Sequence, residues 1–281
     1  MCTSRTALDG APNDEGTAVF FTLSSWQLGV LLAVIMFGAT LVGLVIGRIL
    51  RRHVEALREP FGAVQAALLT LVGLILAFGL AMAVGRYDSR RAAVVDDANA
   101  IGTAYLRAQL LAEPVRSRSL PLFVAYTDAS LALSRSVPNS AAAKRAIATE
   151  SGIQRRLWGL TGTAVDAAPT ESAPRVYIES LNAMIDEQTT RVSALNNRVP
   201  AAILLVEVLG AATALGLMGL YLGILSRGLV TVLLAAGLLT LLLFVSFDLD
   251  RPSRGFITIP NAPLVNLRAS MELPPAAGGK R

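Results

Sequence analysis

The stretch WQLGVLLAVIMFGATLVGLVIG, residues 26–47, contains no charged side chain. About 20 apolar residues in helical form cross the roughly 30 Å hydrocarbon core of a bilayer, so this stretch predicts a transmembrane helix. Three further apolar runs occupy residues 60–85, 201–225 and 229–247. The sequence therefore predicts an all-α integral membrane protein with four transmembrane helices in two pairs. The helices are expected over about 19–47, 61–112, 201–225 and 229–247, and the second of them continues beyond the bilayer.

The composition of the chain fits this architecture. Of its 281 residues, 53% are hydrophobic and only 16% are charged, whereas soluble domains carry about 25% charged residues. The net charge of +5 comes almost entirely from arginines, many of which flank the apolar runs, as is usual in membrane proteins. The expected partner is consequently a lipid bilayer, and the basic character does not indicate binding to nucleic acid.

The predicted spans divide the chain into five segments. Residues 1–18 lack the basic start and the cleavage site of a signal peptide, so the first span is expected to remain in the protein. The segments are a disordered N-terminal tail (1–18), the first two spans (19–85), an extramembrane helical bundle (86–198), the last two spans (199–247) and a C-terminal tail (248–281).

Small residues recur at helix-contact spacing within the spans. Gly43 precedes Gly47 by four positions, and Gly219 precedes Gly223 in the same way. Such spacing allows two helix backbones to approach closely where lipid supplies no hydrophobic driving force. The contact could lie within one subunit or between subunits, and the sequence leaves both alternatives open.

A polar stripe follows the second span. No Gly-Pro sequence separates residues 85 and 111, so the second helix is expected to run unbroken from the bilayer into the bundle, as far as the stop at Glu113-Pro114. On a helical wheel the polar residues of this extension share one arc and the apolar residues share the opposite arc. The polar arc holds Asp96, Asn99, Thr103 and Arg107, and the apolar arc holds Val94, Ala98, Ile101 and Tyr105.

The residues that carry most metal and enzyme chemistry are scarce. Cys2 is the only cysteine and His53 the only histidine, so a zinc site made of His and Cys is excluded within one chain. The sequence has no phosphate-binding loop, no dinucleotide fingerprint and no nucleophile elbow. We therefore expect no metal, no cofactor and no enzymatic activity.

One ionisable residue lies inside a predicted span. Glu207 follows Pro200 by about two helical turns. A charged group in lipid costs at least about 2.5–3.5 kcal/mol, so such a residue usually faces protein or water. Glu207 is either a carboxylate that reaches for nearby water or a ligand for a proton or ion in a pore.

Opposite charges are predicted to meet where the second and fourth spans end. Two further crossings lie between these ends, so both ends lie on the same side of the membrane. The first end carries Arg86, Arg90 and Arg91, and the second carries Asp248 and Asp250. We expect one of the aspartates to lie within salt-bridge distance of one of these arginines, the alternative being a belt of solvated charges.

Three stretches of the sequence resemble a known family. They are GRYDSRRAAVVDDANAIGTAYLRAQLL (85–111), SLNAMIDEQTTRVSALNNRVP (180–200) and DLDRPSRGFITI (248–259). In this order they are similar to the signatures of bacterial bestrophin-like membrane proteins, and the resemblance extends from about Phe61 to Met271. It implies a distant relationship to bestrophins, which are pentameric ion channels with four spans per subunit, a pore lined by the second helix and a vestibule of cytosolic helices.

The resemblance favours a homo-oligomeric, channel-like protein of the bacterial inner membrane that conducts inorganic ions. If second spans line an axis, Phe78 and Met82 form an apolar constriction and Arg86 lies one turn further on. Alternatively, Phe78 and Met82 pack within one subunit, and the chain is a non-conducting membrane-anchored scaffold or sensor. The arginines of the first loop place residues 86–198 outside the cell, but the resemblance places them in the cytoplasm, and we favour the cytoplasm.

Overall fold

The computed structural model describes residues 24–51, 58–225, 228–251 and 255–276. In these residues the chain is helical, with no β-strand. The helices are α1 (Ser25–Leu50), α2 (Arg58–Ala108), α3 (Val115–Arg135), α4 (Ala141–Gly159), α5 (Thr161–Ala167), α6 (Ser172–Asn196), α7 (Ala201–Leu225), α8 (Leu229–Leu249) and α9 (Ala262–Ser270).

Within the described ranges, four helical stretches are long and apolar enough to cross a membrane, namely Ser25–Leu50, Gly62–Ala108, Ser172–Leu225 and Leu229–Leu249. The chain divides into two compact units. The membrane unit comprises the described residues up to Gly79 together with Pro200–Val245, and the helical bundle comprises Leu80–Val199 together with the described residues from Ser246 onward.

The predicted ends of the spans differ from the observed ends by a few residues. Ser24 caps α1 by accepting a hydrogen bond from the backbone N–H of Gln27, so the helix begins at Ser25, and the expected residues 19–23 lie outside the described part of the chain. At its other end α1 continues three residues past the predicted 47. The helix α8 likewise ends at Leu249 instead of 247.

The prediction that the second helix is continuous is confirmed, since α2 is a single helix of 51 residues. It ends at Ala108, before the predicted 112. From there the backbone N–H groups of Gln109, Leu110 and Leu111 bond to carbonyls three residues earlier, at 3.1–3.3 Å. These tighter turns replace the last turn of α-helix ahead of Pro114.

The membrane unit contains a close contact between α1 and α7. A Cβ atom added at Gly43 would collide with the carbonyl oxygen of Gly216, and one added at Gly47 would collide with that of Leu220. On the opposite helix, Gly219 and Gly223 face the backbone of α1 in the same way. The glycine spacing seen in the sequence therefore serves packing within one subunit.

Gly43→Ala is expected to lower the free energy of unfolding by about 1–3 kcal/mol, because a backbone carbonyl cannot move aside for the new methyl group. Gly38→Ala on the same helix is the matched control, since nothing lies within 4 Å of a Cβ atom there. Helix propensity alone makes the control neutral or slightly stabilising, by up to about 1 kcal/mol. Thermal unfolding in detergent measures both, and equal effects would contradict the close contact.

The helical bundle has one main hydrophobic core. Tyr105 of α2, Phe123 of α3 and Tyr177 of α6 meet edge to face, with ring centroids 6.2 and 6.4 Å apart. Around them lie the buried side chains of Val94, Ala98, Ile101, Ala104, Ala108, Leu157, Leu181, Met184 and Leu264. The apolar arc predicted for α2 is thus the arc that the core buries.

The connection after α4 is partly helical, although its residues 162–174 are rich in residues that are common in turns. Residues Thr161–Ala167 form α5, and the loop is confined to the few residues before Ser172. Ala164 of α5 is buried in the core. The turn-forming residues of this segment therefore do not prevent a short helix.

Candidate functional site

The expected meeting of charges is present in the bundle, where α8 ends. Arg90 lies 3.0 Å from Asp250 through Nη2 and Oδ1, and both side chains are buried. The same guanidinium donates to the backbone carbonyls of Asn197 at 2.6 Å, Leu249 at 3.2 Å and Ala194 at 3.2 Å. Arg90 therefore joins α2 to the ends of α6 and α8.

The other charged residues of this cluster differ in their hydrogen-bond partners and in their exposure. The second oxygen of Asp250 accepts from the backbone N–H of Val199 at 3.1 Å. Burial raises the pKa of Asp250, and the hydrogen bond and charge of Arg90 oppose that rise. Asp248 is buried as well, but its Oδ2 accepts from the backbone N–H of Ile257 at 2.9 Å, so it holds the segment after α8. Arg91 is exposed.

The candidate pore residues lie on one continuous helix at four-residue spacing. Phe78 is 62% exposed and Met82 is 36% exposed, so packing within one subunit does not cover them. Arg86 is half-buried, and its Nε and Nη1 atoms have no contact with solvent and no hydrogen-bond partner among the described residues. Its charge lies close enough to act on Asp250.

Glu207 is buried in the membrane unit, against α2. A Cβ atom added at Gly79 would collide with its Oε1 atom, so the carboxyl occupies a notch that only glycine leaves open. Within the described residues neither carboxyl oxygen has a hydrogen-bond partner. The side chain of Glu207 is therefore enclosed by protein in a single subunit.

The predicted polar stripe of α2 is largely exposed. Asp96, Asn99 and Thr103 face outward, in agreement with the helical wheel. Arg107 differs from them, because it is half-buried and its Nη1 donates to the carbonyl of Val176 on α6 at 2.9 Å. Arg107 thus ties two helices of the bundle together, and the exposed stripe ends at Thr103.

A buried ion pair inside the bundle was missed by the sequence reasoning. Arg191 of α6 donates to Asp97 of α2 at 2.6 Å, and both side chains are buried. Its second terminal nitrogen donates to the carbonyl of Ser130 at 3.0 Å and to the hydroxyl of Ser134 at 2.7 Å. The hydroxyl of Ser130 also donates to the same oxygen of Asp97, at 3.0 Å.

Next to this pair lies a second buried carboxyl, that of Glu150 on α4. Its Oε2 accepts from the side-chain amide of Gln188 at 3.0 Å. The amide of Gln154, one turn further along α4, donates to the hydroxyl of Tyr126 at 3.1 Å. These side chains are fully or nearly fully buried. The centre of the bundle is therefore a polar network that draws on α2, α3, α4 and α6.

A signal for this network was present in the sequence. Asp97 falls on the apolar arc of α2, three positions after Val94 and four before Ile101. Arg191 falls on the apolar arc of α6, seven positions after Met184. A charge of each sign on the core face of two helices in one bundle indicates a buried pair, because an unpaired buried charge is very costly.

The described residues contain no group of three or more His, Cys, Asp or Glu side chains that could hold a metal ion. Cys2 and His53 lie outside the described part of the chain.

Comparison with known proteins gives the family. A model of the bestrophin-like domain matches residues 29–264. No protein of curated function matches the sequence. Among solved structures, a bacterial bestrophin homologue from Klebsiella pneumoniae carrying a single substitution has a TM-score of 0.64 at 14% identity, over 84% of this chain and 97% of that one. A membrane protein with a single substitution has a TM-score of 0.63 at 15% identity, over 87% and 99%.

At such identities the likeness of the solved structures concerns the fold, which is that of bacterial bestrophin homologues. The family model concerns the sequence itself and extends over most of it. The matched residues 29–264 include most of the four apolar stretches and the whole of the polar network. The chain belongs to the bestrophin-like family of membrane proteins.

Proposed function

We propose that this chain is the subunit of a homo-oligomeric ion channel of the bacterial inner membrane, in which the second helices surround a central axis. One observation carries the proposal. The long helix α2 leaves Phe78 and Met82 exposed at four-residue spacing, although both are large and apolar. Large apolar side chains exposed in a line on a helix are available to contact either lipid or the same helix of a neighbouring subunit.

The family supports the second possibility. The resemblance of the sequence to bestrophin-like proteins implies a distant relationship to pentameric channels with a pore lined by the second helix. In such a ring Phe78 and Met82 form an apolar constriction that closes by dewetting, and Arg86 favours anions just beyond it. The protein then has no catalytic step, and its ligands are inorganic ions.

The proposal includes the arrangement of the chain in the bilayer. Residues 19–85 and 199–247 hold the spans, and residues 86–198 form a vestibule on the cytoplasmic side. The C-terminal residues 248–281 then lie on the same side as the vestibule.

A second candidate is a non-conducting anchored module. The exposed polar stripe of Asp96, Asn99 and Thr103 supports it, because such a surface is able to contact another protein. Measurement of the mass of the purified protein separates the two candidates, since a strict monomer is incompatible with a pore made of several second helices.

Simultaneous Phe78→Ala and Met82→Ala substitution is expected to increase ion flux into liposomes, because it widens the constriction and makes it easier to hydrate. Arg86→Glu is expected to shift the selectivity toward cations, because it reverses the charge next to the constriction. Flux of chloride and of potassium under a salt gradient measures both effects.

Val84→Ala is the matched control for these variants. Val84 is also exposed on α2, but it lies on a different side of the helix from Phe78 and Met82. Its flux should equal that of the wild type. If the wild type and every variant leave the salt gradient intact, the channel proposal fails and the anchored module takes its place.

A further inference from the structure

The polar network in the bundle has an imbalance of charge. Its ionisable side chains that carry charge near neutral pH are Asp97, Glu150 and Arg191, all of them buried. Arg191 pairs directly with Asp97. If both carboxyls are ionised, two negative charges face one positive charge in a buried site. Such an excess charge is very unfavourable in the interior of a protein.

The hydrogen bonds point to the same imbalance. Of the four carboxyl oxygens, Asp97 Oδ2 accepts from Arg191 and Ser130, and Glu150 Oε2 accepts from Gln188. Asp97 Oδ1 and Glu150 Oε1 have no partner among the described residues. An ionised carboxylate needs donors on both oxygens when it is buried, whereas a protonated carboxyl carries its own O–H group.

The packing around the two carboxyls limits which cation is able to balance their charge. Asp97 Oδ1 and Glu150 Oε1 are buried, and the described residues hold no group of three or more His, Cys, Asp or Glu side chains that could bind a metal ion. A sodium or calcium ion needs several oxygen ligands around a space of its own. A proton needs no such space.

We propose that Asp97 and Glu150 form a proton-binding site, in which the two carboxyls together hold one proton in the folded bundle at neutral pH. The proton leaves one carboxylate to pair with Arg191 and makes the buried network neutral. Release of this proton at alkaline pH puts a second negative charge into the core and loosens the contacts among α2, α3, α4 and α6. The extramembrane bundle thereby becomes sensitive to pH.

The groups around Glu150 on every neighbouring helix support this assignment. Asp97 faces it from α2, Tyr126 and Ser130 from α3, and Arg191 and Gln188 from α6. Burial raises the pKa of Glu150, opposed by Gln188, Arg191 and the hydroxyl of Ser130 and reinforced by the charge of Asp97. Burial also raises the pKa of Asp97 against the effect of Arg191. Burial raises the pKa of Tyr126 far above its usual range, so its hydroxyl stays neutral.

The sign of the pH effect follows from these directions. A carboxyl whose pKa is higher in the folded state than in the unfolded state binds more protons when folded, so its contribution to stability is lost as pH rises. One such proton makes the unfolding equilibrium constant rise by up to about tenfold per pH unit, between the unfolded pKa of about 4 and the folded pKa.

The test is the pH dependence of thermal unfolding of the full-length protein in detergent, from about pH 5 to about pH 9. The melting temperature of the wild type should fall as pH rises. Glu150→Gln should flatten this dependence, and Asp97→Asn should flatten it as well, because removal of either carboxyl leaves one negative charge for one guanidinium. Glu179→Gln is the control, since Glu179 is an exposed glutamate on α6, and it should leave the dependence as in the wild type.

An equal pH dependence in Glu150→Gln, Asp97→Asn and the wild type would overturn the proposal. If the variants do not fold, infrared spectroscopy decides on a protein that carries only Glu207→Gln, so that the intramembrane carboxyl does not contribute. The carbonyl band of a protonated carboxylic acid at neutral pH, lost reversibly as pH rises, supports the site. Absence of that band at neutral pH overturns it.

Discussion

Arg191→Met lowers the free energy of unfolding by about 3–5 kcal/mol at neutral pH, the expected cost of removing one partner of a buried ion pair. The methionine fills a similar volume, so the effect comes from charge. Asp97 loses its counterion and stays out of reach of water. The loss should shrink as pH falls, because both buried carboxyls then take up protons. Chemical or thermal unfolding in detergent at two pH values measures it.

Arg175→Met is the control for this variant. Arg175 lies on the same helix, is 81% exposed, and pairs with Glu179 at 3.3 Å. Exposed ion pairs contribute about 0–1 kcal/mol to stability, so Arg175→Met should change the free energy of unfolding very little. Losses of equal size at Arg175 and Arg191 would contradict the assignment of a buried pair. Arg191→Met combined with Asp97→Leu should recover much of the stability, because apolar replacement of both partners removes the unpaired charge.

Asp250→Ala is expected to have an effect of similar size, about 3–5 kcal/mol, because it leaves the guanidinium of Arg90 buried without a counterion. The three backbone carbonyls that also accept from Arg90 carry no net charge, so they replace the carboxylate only in part. Asp248→Ala should cost less, about 1–3 kcal/mol, since the hydrogen bond that Asp248 accepts from Ile257 comes from an uncharged backbone N–H.

The expected order of stability is therefore wild type, Asp248→Ala, Asp250→Ala, from the most to the least stable. Asp186→Ala serves as the control, because Asp186 is exposed on α6. Melting temperatures in one detergent compare the four proteins. The reverse order for the two buried aspartates, or an unchanged melting temperature for Asp250→Ala, would show that Arg90 does not depend on its counterion.

The sequence was sufficient to predict those features of the fold that depend on long stretches of residues. Uninterrupted apolar runs set the helices of the membrane unit, since about 20 apolar residues in a row have few alternatives to a span. The absence of breakers between 85 and 111 set the continuity of α2. The contact between Arg90 and Asp250 could be predicted because four predicted spans place the ends of the second and the fourth on the same side of the membrane.

What could not be predicted depends on which residues face each other across the bundle. Asp97 follows Asp96 in the sequence, yet one is buried and the other exposed. The wheel that assigned Asp96 to the polar arc also put Asp97 on the apolar arc, but only the position of α6 supplies Arg191 as its partner. In the same way, Arg107 belongs to the polar arc and is half-buried because a carbonyl of α6 lies beside it.

The contacts of Arg90 also constrain the order of events while the protein is made. Its carboxylate partner lies 160 residues further along the chain, and its carbonyl partners lie at least 104 residues further. At about 5–20 residues per second, a ribosome needs on the order of ten seconds to pass from one to the other. During this time Arg90 has no counterion, so the nascent bundle cannot bury it. Final packing of α2 therefore waits until Asp250 has been made, and a chain that stops before Asp250 leaves the guanidinium of Arg90 without its carboxylate partner.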